Sequence, residues 1–103
     1  MKIEGYWYND YSAQAYPMPV PNDKPFGGKD AFLSRLSVLE NKAKVVAYRG
    51  YSPCRLCSLR CNGSTEYVLG GWVWPAGYKH YIKEHNVIPS DAFMDFVMNN
   101  KNI

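Results

Sequence analysis

The sequence predicts a small α+β domain with one β-hairpin and about three short helices. Three observations lead to this fold class. The chain has 103 residues, of which 47% are hydrophobic, 16% aromatic and 20% charged, which fits one folded domain and not a disordered chain. Two β-like runs flank Gly70-Gly71, which suits a hairpin turn. Apolar residues recur at helical spacing both before and after these runs.

Residues 1–28 are predicted to form an irregular, aromatic and proline-rich arm that packs on a single domain spanning residues 29–103. Tyrosine and tryptophan are frequent at the start of this arm. Four prolines between positions 17 and 25 exclude a regular helix in its second half. A short edge strand is expected at Tyr6 to Tyr8.

A helix and a strand are expected after the arm. Asp30 should cap a helix that runs to about Lys42. The apolar residues of this segment recur on one face, and Glu40 is assigned to the opposite, polar side. This helix should pack on the core and carry no chemistry. The run from Lys44 to Tyr48 then predicts a strand.

The hairpin follows from two runs of strand-forming residues. Its strands are expected at Ser64 to Leu69 and at Trp72 to Pro75. Because side chains alternate along a strand, Trp72 and Trp74 should share one face, with Val73 on the other.

Two helices complete the predicted fold. Pro75 suits the first position of a helix that carries both histidines and should stop near Asn86. Ser90 is the expected cap of the last helix, and Asp91 complements its dipole.

Charge and hydropathy restrict the classes of function. The net charge is +3, and the basic residues form no stripe, which is weak evidence for nucleic-acid binding. No apolar run approaches the roughly 20 residues that span a bilayer. The chain begins with acidic and tyrosine side chains where a secretory signal has an apolar region. A cytoplasmic protein without membrane contact is therefore expected.

The cysteines and histidines form the most informative pattern in the chain. Cys54 and Cys57 are separated by two residues, and the predicted helix carries His80 and His85 with four residues between them. Both spacings occur in zinc sites. Two thiolates and two imidazoles make a closed tetrahedral set, which predicts structural Zn²⁺. A cysteine turn, a hairpin and a helix in this order are analogous to a treble-clef zinc module, so the domain is predicted to be zinc-stapled.

Helix geometry places a condition on this site. Residues five apart on an ideal helix point about 140° apart, from about 100° per residue. His85 can join His80 at one ion only if the helix loosens or ends near it, which Asn86 permits. Since zinc takes four ligands, Cys61 is expected to remain free.

Alternatives to this ligand set stay open. Cys54 and Cys57 could form a redox pair, although no βαβ setting of the thioredoxin type is evident. The histidines could be ordinary surface residues. Cys61 could also replace one of the four ligands, although the Asn62-Gly63 turn directly after it favours a free thiol.

The chain resembles a family of small, functionally uncharacterised bacterial and phage-type proteins. The resemblance is carried by "YRGYSPCRLC", "NGSTEY" and "GGWVWPAGYKHYIKEHNVIP" over residues 48 to 93, which match a CRxC…NGxxE…WPxG…HYxxxH pattern. It implies that Cys54 and Cys57 pair with His80 and His85 as zinc ligands. It implies no activity.

The chain also departs from this family pattern. Ser58 stands where glycine is usual, Ala76 replaces a glutamate, and Cys61 has no counterpart. The last departure favours leaving Cys61 outside the site.

An enzyme is not expected, and no catalytic residue is assigned. Four protein ligands close a zinc ion, so catalysis by that ion is disfavoured. Glu66 lies between the two ligand pairs and is a candidate hydrogen-bond partner for a ligating histidine. A general base is the alternative role, and an ion pair with Arg55 or Arg60 is the more ordinary one. A metal-dependent nuclease would need a third histidine, which the chain lacks.

Recognition of another macromolecule is the predicted function. Four Phe, three Trp and nine Tyr make sixteen aromatic residues, more than a small core buries, so some should reach the surface. Trp7, Trp72 and Trp74 are candidates for a docking face, as expected of an adaptor, an immunity protein or a phage-type inhibitor. Arg55 and Arg60 should project from the cysteine turn and are further candidates for contact with a partner, including nucleic acid. The alternative is a zinc module that binds nucleic acid.

Overall fold

The computed structural model describes residues 1–7, 16–47 and 52–99. The described residues form three helices and four strands, with three of the strands consecutive in the chain, which confirms the predicted α+β class. In chain order they are β1 (Lys2–Ile3), α1 (Lys29–Lys42), β2 (Lys44–Ala47), β3 (Thr65–Leu69), β4 (Trp72–Pro75), α2 (Tyr78–His85) and α3 (Asp91–Asn99). Within the described part of the chain, no helix combines the length and apolar character needed to cross a membrane.

The four strands form one sheet in the order β1-β4-β3-β2. β3 and β4 make the expected antiparallel hairpin, in which Leu69 pairs with Trp72. The two residues of its turn, Gly70 and Gly71, have φ of 58° and 84°. A two-residue turn of this kind requires positive φ at both positions, which glycine adopts without steric cost.

The edge strand comes earlier than expected. It is Lys2–Ile3, which runs parallel to β4, and neither Tyr6 nor Trp7 belongs to a strand. The backbone N–H of Lys2 donates to the Gly71 carbonyl at 2.9 Å. Tyr8 lies outside the described residues. The first residues of the arm are thus part of the sheet.

Two predicted helix starts are corrected by the structure. Gly28, with φ 80°, is the N-cap of α1 without a side-chain cap, and Asp30 lies in the first turn. Pro75 ends β4 instead of opening a helix, because the Ala76 N–H continues the strand pairing by donating to the Thr65 carbonyl at 2.9 Å. α2 therefore begins three residues later than Pro75.

The cap of the last helix is confirmed. Ser90 Oγ accepts a hydrogen bond from the Phe93 N–H at 3.2 Å. The Glu4 carboxylate accepts from the Ser90 N–H and hydroxyl, both at 2.9 Å, and from the Tyr78 hydroxyl at 2.6 Å. Burial, and then the Glu4 charge, raise the pKa of Tyr78, so this hydroxyl stays protonated and donates. One carboxylate of the arm thus joins α2 to α3.

The core lies between the sheet and the helices. Trp72 and Trp74 share one face of β4, as predicted, and both are buried. Phe93 of α3 packs against them, with ring centroids 5.1 Å and 5.4 Å apart respectively. Phe32 of α1 packs against Phe93 in turn, with ring centroids 6.3 Å apart.

Glu40 occupies the buried face of α1, contrary to the expectation from its polarity. It is 8% exposed. Its Oε2 accepts a hydrogen bond from Trp74 Nε1 at 3.0 Å, and its Oε1 pairs with Lys79 Nζ at 2.6 Å. The residue follows Leu36 by one helical turn, and this spacing places it on the core side. The carboxylate therefore links α1 to β4 and α2.

Candidate metal centre

The cysteine loop, residues 52–63, is closed at its base by backbone hydrogen bonds. Ser52 N–H donates to the Gly63 carbonyl at 3.1 Å, and Asn62 N–H donates to the Ser52 carbonyl at 2.9 Å. The side-chain amide of Asn62 donates to the Gly77 carbonyl at 3.1 Å. The base of the loop is therefore docked onto the residue that precedes α2.

Inside this loop the backbone turns toward the first thiol. The Cys54 N–H donates to the Leu59 carbonyl at 2.9 Å, and the Leu56 N–H points at Cys54 Sγ at 3.3 Å. Cys54 is buried and Cys57 is exposed, so the pair lies at the boundary between core and solvent.

α2 supplies the histidines, and its last turn is wider than that of an α-helix. Asn86 is left-handed, with φ 51° and ψ 38°. The backbone N–H groups of Asn86 and Val87 both donate to the Tyr81 carbonyl, five and six residues back, where an α-helix uses four. This confirms that the helix loosens and ends at His85. The imidazole rings of His80 and His85 lie 5.0 Å apart as a result.

The four predicted ligands come together. One ligand atom from each of Cys54, Cys57, His80 and His85 lies within 4.8 Å of all the others. Cys54 Sγ is 3.5 Å from His85 Nε2, and Cys57 Sγ is 3.3 Å from His80 Nε2. With Zn–S of about 2.3 Å and Zn–N of about 2.0 Å, a tetrahedral ion has S–N edges of about 3.5 Å. The four residues are therefore close enough together to hold a metal ion.

The electrostatic setting favours ligation by His80. Burial lowers the pKa of this imidazole, and the neighbouring His85 lowers it further, while Glu84 acts in the opposite direction. A lowered pKa keeps the ring neutral, and only the neutral imidazole has a lone pair for a metal.

Tyr81 is a residue of the site that the sequence pattern did not identify. It is buried on α2 between the two histidines, and its hydroxyl accepts a hydrogen bond from the Arg55 N–H at 2.9 Å. This bond holds the cysteine loop against the histidine helix by a contact that involves no ligand. Its position directly after His80 in the HYxxxH motif was the available signal.

Glu66 makes a different contact from the one considered. It lies on β3, and its carboxylate accepts a hydrogen bond from the Tyr6 hydroxyl. It is not a member of the four-residue cluster found among the described residues. The hydrogen bond between Tyr6 and Glu66 therefore ties the arm to the sheet.

The candidate docking residues fall into two groups. Trp74 is 0% exposed and Trp72 is 7% exposed, so both belong to the core and cannot form a docking face in this fold. The reason is that their shared face of β4 is the one covered by α3. Trp7 is half-buried and packs on Tyr81, at 5.8 Å between ring centroids. Arg60 is exposed on the cysteine loop.

Arg55 is half-buried at the same loop, and its side chain contacts two other residues of that loop. Its Nη1 donates to Ser52 Oγ and to the Pro53 carbonyl, both at 2.6 Å. Arg49, another basic residue near the cysteines, lies outside the described residues.

Replacing Cys61 by serine is expected to leave metal binding intact. Cys61 is exposed and is not one of the four clustered ligands. Cys57→Ser is the matched comparison, because Cys57 is also exposed but is one of the four clustered residues. Metal content per chain, measured by inductively coupled plasma mass spectrometry, should stay at one in Cys61→Ser and fall in Cys57→Ser. Equal losses in the two variants would contradict the assignment.

Comparison with known proteins gives no match: no family model, curated protein or solved structure corresponds to this chain. The family resemblance noted in the sequence therefore stays a prediction.

Proposed function

We propose that this protein is a zinc-stabilised recognition domain of the treble-clef type that acts by binding another protein. The observation that carries the proposal is the four-ligand cluster, in which two S–N edges match those of a tetrahedral zinc ion. Cysteine and histidine together suit zinc better than calcium or magnesium, which prefer oxygen ligands.

A closed ligand set favours a structural role for the ion over a catalytic one. Two thiolates and two imidazoles occupy all four positions of tetrahedral zinc and leave none for water or substrate. His80 and His85 are the only histidines in the chain. A nuclease-type site, which needs a further histidine, is disfavoured on the same ground.

Zinc would fix the cysteine loop in one conformation. Leu59 is 40% exposed on this loop, and Arg60 beside it is also exposed. Arginine and large apolar side chains are effective interface anchors, and a rigid loop loses less conformational entropy on binding. Leu59 and Arg60 are therefore the proposed contact residues of the loop.

The contacts of the basic residues favour a protein partner over nucleic acid. Lys79 is ion-paired with Glu40, and Arg55 donates to Ser52 and Pro53 within the cysteine loop. These two cations are engaged internally. With a net charge of only +3, the chain offers little to a phosphate backbone.

The test compares partner capture by two variants of the zinc-loaded, full-length protein. In Leu59→Ala/Arg60→Ala, capture of a specific protein from an extract of the source cells, detected by cross-linking and mass spectrometry, should fall at least about tenfold. Met98→Ala is the matched control, because Met98 is a comparably exposed apolar residue on α3. This variant should capture the partner as well as the wild type does.

The metal content and the Tm of both variants should equal those of the wild type. A loss of capture can then be attributed to the changed surface residues and not to unfolding or metal loss. Unchanged capture by the loop variant would contradict the proposed contact. Capture that disappears after nuclease treatment and falls steeply with salt would instead identify nucleic acid as the partner.

A further inference from the structure

The two sulfurs of the candidate metal centre lie close enough to bond to each other. Cys54 Sγ and Cys57 Sγ are within 4.8 Å, and a disulfide bond needs about 2.05 Å. A change of rotamer moves a cysteine sulfur by about 3 Å, which is the size of the approach required. The pair that can bind an ion can therefore also form a disulfide.

The two sulfurs differ in their access to solvent. Cys54 is 7% exposed and belongs to the core, whereas Cys57 is exposed on the cysteine loop. A dissolved oxidant therefore meets Cys57 first. Oxidation proceeds through the thiolate, which is also the form in which a cysteine binds zinc. The zinc-bound loop thus presents the reactive form of Cys57 at neutral pH.

Oxidation of the pair would remove the ion. Without the two thiolates, the four-residue cluster keeps only His80 and His85, and these are the only histidines in the chain. Structural zinc is held by four protein ligands, so an ion left with two imidazoles is bound far more weakly.

The disulfide would not replace the ion as a link between the cysteine loop and α2. It joins two residues of the same loop, whereas the ion joins that loop to both histidines. The hydrogen bonds that Arg55 and Asn62 make outside the loop would remain. Leu59 and Arg60, the proposed contact residues, lie between these two attachment points. They would therefore lose the constraint that the ion supplies.

We infer that oxidation of Cys57 by a hydroperoxide closes a Cys54–Cys57 disulfide, expels the metal ion and frees the contact residues of the loop. This inference rests on the zinc ion of the proposed function and adds a redox control to it.

The reaction is a two-electron oxidation that balances with hydrogen peroxide. The Cys57 thiolate attacks one peroxide oxygen, the O–O bond breaks, and an S–OH group and a hydroxide form. The Cys54 thiolate then attacks the Cys57 sulfur, so that the S–S bond forms, the S–O bond breaks and a second hydroxide leaves. Both hydroxides take up protons from solvent. A thiol reductant restores the two thiols by exchange.

The experiment treats the zinc-loaded, full-length protein with hydrogen peroxide after the reductant has been removed. Released zinc, followed by the absorbance of a pyridylazo-resorcinol dye, should reach about one ion per chain. Trypsin cleaves after Arg55 and Arg60, so the three cysteines fall in separate peptides, and mass spectrometry identifies which two are joined. The Cys54 and Cys57 peptides should be linked. Dithiothreitol with added zinc should restore the metal content.

Cys61→Ser is the matched control, because Cys61 is exposed on the same loop but lies outside the cluster. This variant should release zinc at the wild-type rate, within about twofold. A disulfide between Cys57 and Cys61, with zinc retained in Cys61→Ser, would overturn the inference. Zinc that does not return after reduction would overturn it as well.

Metal content before the peroxide is added distinguishes this inference from the proposal on which it rests. A wild type that holds no zinc before treatment would refute the ion itself, and the redox control with it. A wild type that holds one zinc and keeps it in excess peroxide would refute the redox control alone.

Discussion

Replacing Cys54 by serine is expected to remove the metal ion and most of the stability of the domain. Cys54 is the buried member of the thiol pair, and its sulfur lies 3.5 Å from His85 Nε2. Structural zinc contributes about 10–16 kcal/mol of apparent binding free energy, whereas a domain of this size is stable by about 5–15 kcal/mol. Loss of the ion should therefore leave the chain largely unfolded.

The measurement is metal content per chain beside thermal unfolding followed by circular dichroism. The wild type should contain one zinc, and Cys54→Ser should contain none and show no cooperative transition. A chelator added to the wild type should reproduce the loss of metal and of the cooperative transition seen in Cys54→Ser. Cys61→Ser is the control variant, because it changes a cysteine outside the cluster. A metal-free wild type that keeps its full Tm would refute the zinc site, and the redox alternative for Cys54 and Cys57 would then be favoured.

Replacing Phe93 by alanine is expected to lower the free energy of unfolding by about 3–5 kcal/mol. Phe93 is fully buried, and its ring packs against both Trp72 and Trp74. Removing the ring leaves a cavity in the layer between α3 and the sheet, and the surrounding rings can close it only in part. Urea unfolding followed by tryptophan fluorescence measures the change in midpoint.

The Phe93 variant separates core packing from metal binding. At saturating zinc it should still hold one ion, because no ligand has changed, while its urea midpoint falls. Phe93→Leu, which keeps most of the volume, should cost less, and Met98→Ala on the exposed side of α3 should change little. A loss of less than about 1 kcal/mol in Phe93→Ala would show that α3 is not part of the cooperative core.

The sequence predicted the parts of the fold that depend on local pattern. Gly70-Gly71 indicated the hairpin turn because few residues other than glycine adopt positive φ at both positions. Alternation along β4 predicted that Trp72 and Trp74 share a face. The spacing of two cysteines and two histidines predicted that these four side chains lie together, since ligand type and separation restrict which side chains can meet at one ion.

The features that the sequence did not predict depend on contacts between distant segments. The helical pattern predicts Glu40 on the polar side of α1, but Trp74 and Lys79 provide partners that allow its burial. Pro75 looked like a helix start, but pairing with Glu66 retains it in the sheet. Trp74 and Lys79 lie far from Glu40 in the sequence, so local propensity could not identify them as its partners.

The residue that ends α2 also holds the arm. Asn86 donates its side-chain amide to the carbonyls of Asn22 and Lys24, at 2.8 Å and 2.7 Å, and its own carbonyl accepts the Asn22 N–H at 3.0 Å. The same residue sets the wide turn that brings His85 to the cluster. Binding of the ion and docking of the arm thus both depend on the conformation of Asn86. Thermodynamic linkage makes any coupling between these two equilibria reciprocal. A ligand or partner that lifts the arm from Asn86 would weaken metal affinity by the same factor by which metal loss loosens the arm.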